Sequence, residues 1–214
     1  MKNAQAHFWP PTSRRIACTG TELPVQPQSW QCDLRAAYSS VTEDLHSIVL
    51  IGFMGCGKSS VGRLLARELG WPRFDTDELV AAELGMPITA IFAKLGEKSF
   101  REAESSALEK MEGAQPAVIV TGGGIVLRSE NVRRLRELGK VFWLTADLDV
   151  LQQRLSRRKN RPLLQTPDPA ATIGTLLARR ETFYKEAADF TIDTSGLDQQ
   201  QVAQAIRDEL RIAR

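Results

Sequence analysis

At Gly52–Ser59 the chain reads GFMGCGKS, with the apolar run Ile48–Ile51 before it and the amphipathic stretch Ser59–Leu69 after it. The spacing of two glycines, a lysine and a serine matches the pattern of a phosphate-binding loop between a strand and a helix. Glycines let backbone N–H groups converge on phosphate oxygens, and the following helix N-terminus adds the positive end of its dipole. The stretch therefore predicts a nucleoside triphosphate site, in which Cys56 is a small filler that contributes its backbone.

Short apolar runs and amphipathic stretches alternate through the rest of the chain. This alternation predicts a parallel sheet covered by helices on both faces, which is a three-layer α/β/α fold with five strands. The predicted strands are Ile48–Ile51, Arg73–Phe74, Ala117–Val120, Val141–Leu144 and Phe190–Ile192. The predicted helices are Ser59–Leu69, Asp77–Leu84, Lys98–Met111, Ser129–Leu138, Leu148–Ser156, Ala170–Ala187 and Gln200–Arg211.

The domain organisation follows from a change of pattern near Ser47. Residues 1–46 are rich in proline and polar residues without periodicity, which predicts an irregular or disordered extension, whereas residues 47–214 form the folded domain. The extension contains few acidic residues and several arginines, so an organelle-targeting role is a minor alternative to a cytoplasmic location. Three cysteines without a disulfide or zinc pattern favour the reducing cytoplasm.

The charge and hydropathy of the chain argue against two classes of partner. A net charge of +2 gives no reason to expect nucleic acid. No apolar run approaches the roughly 18 residues that cross a bilayer, so no membrane partner is expected. The chain is expected to be a monomer that acts on a small molecule.

Two carboxylates, Asp75 and Asp77, follow the short predicted strand at Arg73–Phe74. Residues two apart in an extended segment point to the same side, and ligands of open α/β sheets bind at the carboxyl ends of the strands. One carboxylate is then suited to Mg²⁺ and the other to a substrate hydroxyl. The alternative is that Asp75 or Thr76 only caps the next helix.

A glycine triplet, Gly122–Gly124, follows the predicted strand Ala117–Val120. Backbone without side chains lets a ligand approach closely, although a flexible turn would use the same residues. No aspartate ends this strand, where many P-loop ATPases carry a metal ligand. Asp75 is therefore the natural candidate for that role.

The densest basic stretch is Arg157–Arg161, which a polar, proline-containing segment follows. It is typical of a mobile lid that closes over phosphates and supplies an arginine to the transferring group. A solvated charge run and a nucleic-acid patch are the alternatives.

Taken together, the motifs resemble the shikimate kinase family of P-loop kinases. The resemblance runs from about Ser47 to the C-terminus, and the motifs occur in the family's order. They are GFMGCGKSS, FDTD at Phe74–Asp77, GEKSFREAE, TGGG, NRPLL and RRETFYKEAA.

The resemblance implies a P-loop kinase fold with a mobile lid. It also implies ATP-dependent phosphorylation of the 3-hydroxyl of shikimate, in aromatic amino-acid biosynthesis. The implied nucleotide-binding residues are Gly55, Cys56, Gly57, Lys58, Ser59, Ser60 and Arg161, with Mg²⁺ held by Ser59 and Asp75.

The implied shikimate-binding residues are Asp77, Arg101, Gly122, Gly123, Gly124 and Arg180. Helices around Glu83–Phe100 would form the shikimate-binding region. The implied catalytic residues are Asp77, as base or orienter, with Lys58 and Arg161 stabilising the transferred phosphoryl group. Arg157 and Arg158 are both candidates to pack on adenine.

Three alternatives to this function remain open from the sequence. A gluconate or other small-polyol kinase would share the fold and much of the substrate chemistry. A regulatory module would use the P-loop as a switch, and a nucleic-acid-binding protein would use Arg157–Arg161.

Overall fold

The computed structural model describes residues 46–111, 116–156 and 168–211. They lie within one compact unit, Asp44–Arg214. The predicted extension lies outside the described residues except for His46, so its irregular character stays a prediction.

The described elements alternate strand and helix, as the sequence predicts. The strands are β1 (Ser47–Ile51), β2 (Arg73–Asp75), β3 (Val118–Val120), β4 (Gly139–Thr145) and β5 (Phe190–Asp193). The helices are α1 (Lys58–Leu69), α2 (Thr76–Glu83), α3 (Ile88–Glu109), α4 (Ser129–Leu138), α5 (Leu148–Ser156), α6 (Pro169–Ala187) and α7 (Gln199–Glu209), with a 3₁₀ turn at Ile125–Leu127.

The five strands form one parallel sheet in the order β2-β3-β1-β4-β5. The central strand β1 pairs with β3 on one side and with β4 on the other. Its residues Ile48–Ile51 are fully buried. Burying each such side chain contributes roughly 1.5–3 kcal/mol, and a strand that is apolar on both sides must be covered on both faces.

Helices cover both faces of the sheet. Helices α1 and α7 pack together on one face, and α4 and α6 pack on the other with the 3₁₀ turn. A second, smaller apolar cluster lies between α2 and α3, formed by Val80, Ile91, Phe100 and Ala107. The three-layer α/β/α architecture predicted from the sequence is confirmed.

The prediction for α3 was wrong at its start, which lies at Ile88 rather than Lys98. Within α3, Gly96 has φ 79° and ψ 170°, so two helical segments meet there across a kink. The left-handed φ is open to glycine, which has no Cβ. The segment before Gly96 is short and its apolar residues allow either a strand or a helix. Hydrophobic periodicity therefore does not identify it as helical.

Within the described part of the chain, no single helix has the length and apolarity that crossing a membrane needs. Among the residues that the structure describes, one bent pair, Thr76–Glu83 with Ile88–Glu109 at 88°, reaches that length and composition.

Candidate active site

Two adjoining cavities open at the carboxyl ends of the strands. The larger, here called the loop cavity, has a volume of about 740 Å³, and the smaller, here called the arginine cavity, about 70 Å³. Met54, Asp77 and Gly123 line both. The loop cavity also contains the predicted nucleotide residues Gly55, Cys56, Gly57, Lys58, Ser59 and Ser60, and the arginine cavity contains Arg101, Gly122, Gly124 and Arg180.

The phosphate loop connects β1 to α1 and is shaped by its own lysine. Gly57 precedes the helix with φ 102°, a left-handed conformation that a side chain would strain. The Lys58 ammonium donates to the carbonyls of Gly52 at 2.7 Å and Phe53 at 2.9 Å. These bonds hold the loop in an arch whose N–H groups and helix N-terminus are available to an anion.

Asp75 ends β2 and caps α2. One carboxylate oxygen accepts the Asp77 N–H at 3.1 Å, and the other lies 3.2 Å from the Arg73 guanidinium. Burial, Asp77 and Glu78 raise the pKa of Asp75, and the positive charge of Arg73 opposes that shift. Asp75 therefore does cap α2, and it also lines the loop cavity.

Asp77 lines the cavities from a helix, and not from the extended segment that the sequence predicted. The strand ends at Asp75 and α2 begins at Thr76, so the two aspartates do not share the face of one extended segment. Asp77 lies in the first turn of α2 and lines both cavities, whereas Asp75 lines only the loop cavity. The Asp75 carboxylate therefore lies beside the phosphate loop, and the Asp77 carboxylate lies where the two cavities meet.

The donor set fits a single Mg²⁺ ion. Ser59 and Asp75 line the same cavity beside the phosphate loop and offer a hydroxyl and a carboxylate, the oxygen ligands that Mg²⁺ prefers. Among the described residues there is no cluster of three or more His, Cys, Asp or Glu side chains suited to a metal. An ion that keeps several waters and binds substrate phosphates needs no such cluster.

Arg101 is held between two glutamates on its own helix. Its guanidinium donates to Glu104 at 2.5 Å on one side and to Glu97 at 2.9 Å on the other. Arg101 and Glu104 are buried, whereas the Glu97 side chain is 49% exposed. Burial raises the pKa of Glu104 to about 7, against the opposing charge of Arg101.

Two members of the glycine triplet, Gly122 and Gly124, leave no room for a side chain, whereas a Cβ on Gly123 would make ordinary contacts. A Cβ on Gly122 would lie 2.4 Å from a Glu104 oxygen and 2.6 Å from an Asp77 oxygen. A Cβ on Gly124 would lie within 2.5 Å of three atoms of the Arg101 guanidinium. The backbone is therefore in close contact with the charged groups of the arginine cavity, as close approach to a ligand requires.

Arg180 reaches the same cavity from α6, on the other side of the triplet. It is buried and donates to the Gly123 carbonyl at 3.1 Å. Two guanidinium groups on two different helices therefore line one small cavity with one carboxylate, Asp77. Guanidinium groups bind a carboxylate with a planar fork of donors, so the cavity is suited to a small anion with hydroxyl groups.

The matches to known proteins agree with the site geometry described above. A sequence model of the shikimate kinase family matches residues 54–211. The shikimate kinase of Moorella thermoacetica is 48% identical over 165 residues, covering 77% of this chain and 94% of that protein. The shikimate kinase of Bordetella avium is 40% identical over 197 residues, covering 91% and 94%. The chain belongs to the shikimate kinase family.

A solved structure agrees with this assignment. Shikimate kinase from Acinetobacter baumannii in complex with shikimate superimposes with a TM-score of 0.76 at 36% identity, over 81% of this chain and 97% of that one. The five-stranded parallel P-loop kinase fold is thus shared with a member of the family.

In this shikimate kinase family member, the far end of the loop cavity contains a residue that the sequence analysis missed. Arg154 on α5 donates to the Thr194 carbonyl at 2.7 Å and to its hydroxyl at 3.1 Å, and both residues line the cavity. No spacing in the sequence singles out Arg154, because its partner Thr194 lies 40 residues away along the chain. The proposed adenine candidates Arg157 and Arg158, and the lid residue Arg161, lie outside the described residues.

Proposed function

We propose that this chain transfers the γ-phosphoryl group of ATP to the 3-hydroxyl of shikimate, giving ADP and shikimate 3-phosphate. Membership of the family supports the reaction, and the arrangement of the two cavities supports the assignment of residues. The observation that carries the assignment is the pairing of Arg101 and Arg180 in one cavity beside the phosphate loop. Shikimate has a carboxylate and three hydroxyls, which suit two arginines and one aspartate.

The loop cavity is the proposed nucleotide site. Phosphates would bind the backbone of Gly55–Ser60, and Lys58 would exchange its carbonyl partners for phosphate oxygens as charge develops. Arg154, Thr194 and the residues near Asp198 would contact the base end of the nucleotide. Ser59 and Asp75 would hold Mg²⁺, which neutralises phosphate charge when it is bound.

Asp77 is the proposed partner of the reacting hydroxyl, because it lines both cavities. It would orient the hydroxyl towards the γ-phosphate and accept its proton. Positioning accounts for most of the rate in phosphoryl transfer, and the proton transfer contributes less.

The test is an ADP-release assay on the purified full chain with a panel of acceptors. Shikimate is expected to be turned over, and gluconate and other polyols much more slowly. Turnover of gluconate without turnover of shikimate would instead favour the small-polyol kinase. Binding of ATP without phosphorylation of any acceptor would favour the regulatory module, and a salt-dependent gel shift would favour nucleic-acid binding.

The substitution Arg101→Lys tests the substrate assignment. Lysine keeps the positive charge beside Glu104 but loses the fork of donors, so KM for shikimate is expected to rise about tenfold or more. KM for ATP is expected to change less than twofold. Initial-rate kinetics with each substrate varied in turn measure both values.

The matched control is Arg133→Lys, because Arg133 forms an exposed ion pair with Glu137 on α4. Its kinetics are expected to equal those of the unmodified chain. Equal increases in both KM values for Arg101→Lys would contradict the assignment of Arg101 to shikimate.

Three sequence predictions about the whole protein stay predictions. They are a cytoplasmic location, a monomeric state and a catalytic domain at residues 47–214 preceded by an irregular extension. The relatives from Moorella thermoacetica and Bordetella avium are bacterial, which favours the cytoplasm over an organelle.

A further inference from the structure

Tyr184 is a fully buried polar side chain that the proposed mechanism does not use. It lies on α6 four residues after Arg180, so the two side chains leave the same face of the helix. Its ring stacks on Trp143 of β4 with centroids 5.9 Å apart. Its hydroxyl donates to the carbonyl of Gly123.

The Gly123 carbonyl is therefore held by two donors from one helix, the Tyr184 hydroxyl and the Arg180 guanidinium. A peptide unit is planar and trans, so fixing this carbonyl towards α6 turns the Gly124 N–H to the opposite side. Gly123 lines both cavities and Gly124 lines the arginine cavity. The two bonds thus set the orientation of the backbone between the two cavities.

The phenol of Tyr184 stays protonated near neutral pH. Burial raises the pKa of its phenol far above the ordinary value, and the Arg180 guanidinium opposes the shift through its charge and a hydrogen bond. The Tyr184 hydroxyl and the Arg180 guanidinium donate to the same Gly123 carbonyl. The tyrosine therefore helps to fix the acceptor that holds the Arg180 side chain in place.

We propose that Tyr184 is a positioning residue for shikimate, which fixes the Arg180 guanidinium and the Gly123–Gly124 peptide in the orientation that the substrate needs. This inference rests on the proposed function, because it gives Tyr184 a part in binding that substrate. Tyr184 touches neither ligand and acts through Arg180 and Gly123.

The substitution Tyr184→Phe removes the hydroxyl and keeps the ring on Trp143. Gly123 retains its bond to Arg180, so its carbonyl is not left without a donor and the variant is expected to fold. KM for shikimate is expected to rise about tenfold, because a less firmly held Arg180 would weaken its charge-assisted hydrogen bond to the substrate carboxylate. KM for ATP is expected to stay within twofold.

The matched control is Ser47→Ala, which also removes one buried hydroxyl that is bonded to the backbone. Ser47 accepts the Ala117 N–H at 3.1 Å and lies at the opposite end of the strands. This variant is expected to lower Tm by an amount comparable to Tyr184→Phe and to leave both KM values unchanged. A Tyr184→Phe protein with lowered Tm and unchanged KM for shikimate would overturn the proposal.

A double-mutant cycle with Arg180→Lys separates positioning from an independent effect. If Tyr184 acts through Arg180, Tyr184→Phe is expected to raise KM for shikimate less than threefold when lysine stands at position 180. Full additivity, or equal effects on shikimate and ATP, would refute the inference. The proposed function would fail separately, by absence of shikimate turnover in the unmodified chain.

Discussion

At the scale of single residues, Glu104 is a buried carboxyl with charged neighbours of both signs. It is fully buried, bonded to Arg101 through one oxygen, and close to a second carboxylate, Asp77. The pKa of Glu104 is raised from 4.5 to about 7, mainly by burial and to a smaller extent by the Asp77 charge, with Arg101 and Arg180 opposing the rise. A buried carboxyl with one good partner is therefore partly neutral near pH 7.

This raised pKa predicts a pH dependence of stability. The folded protein holds the Glu104 proton to higher pH than the unfolded chain does, so the stability from this group is complete below about pH 4.5 and is lost as pH rises through about 7. The full loss is on the order of 3 kcal/mol. Replacing Glu104 by glutamine removes the titration, and urea unfolding at pH 5 and pH 8 measures the difference between the two profiles.

Glu102→Gln is the control for that experiment, since Glu102 lies on the exposed side of the same helix in a loose pair with Lys98. Its pH profile is expected to follow that of the unmodified chain. If Glu104→Gln keeps the full fall in stability between pH 5 and pH 8, another group is responsible for it.

At the scale of elements, the position of α1 is set by one close contact. Gly62 lies inside this helix and faces β3, where an added Cβ would meet a Val120 methyl at 2.4 Å. Val120 is buried and β-branched, so it has little freedom to move. The absence of a side chain at Gly62 therefore lets the helix that follows the phosphate loop lie against the sheet.

The substitution Gly62→Ala is expected to destabilise the fold by roughly 1–2 kcal/mol. Overpacking costs about 1–3 kcal/mol, and the better helix propensity of alanine returns up to about 1 kcal/mol. Gly174→Ala on α6 is the matched control, because its added Cβ would lie 3.7 Å from Leu148, an ordinary contact. That variant is expected to be neutral or slightly stabilising, and urea unfolding compares the two; equal effects would contradict the packing argument.

The secondary-structure elements also show how much of the fold and the site could be predicted from the sequence. The strands were predicted to within a few residues, because a strand buried on both faces is a short apolar run such as Ile48–Ile51. Periodicity missed the helical segment Ile88–Leu95, because it is short and its apolar residues allow either a strand or a helix. The family resemblance alone implied helices around Glu83–Phe100. Arg154 and Tyr184 could not be assigned from spacing alone, since their partners Thr194 and Gly123 are distant in the chain.

At the scale of the whole molecule, the two cavities meet at Met54, Asp77 and Gly123. The phosphate loop, the end of β2 and the end of β3 lie far apart in sequence and come together because parallel strands end at one edge of the sheet. The chemistry of the proposed reaction thus depends on the sheet register as much as on any motif.

This arrangement predicts that each ligand stabilises the folded domain separately. ADP at a hundred times its Kd adds about 2.7 kcal/mol and is expected to raise Tm by roughly 5–10 °C for a domain of this size. Shikimate is expected to add a second increment, because its proposed contacts in the arginine cavity differ from those of the nucleotide. Thermal unfolding with no ligand, with ADP alone, with shikimate alone and with both ligands measures the two increments in Tm. Arg101→Lys is expected to lose the shikimate increment and to keep the ADP increment, since only shikimate binding depends on the fork of donors of Arg101. An unchanged shikimate increment in that variant would place the acceptor elsewhere than in the arginine cavity.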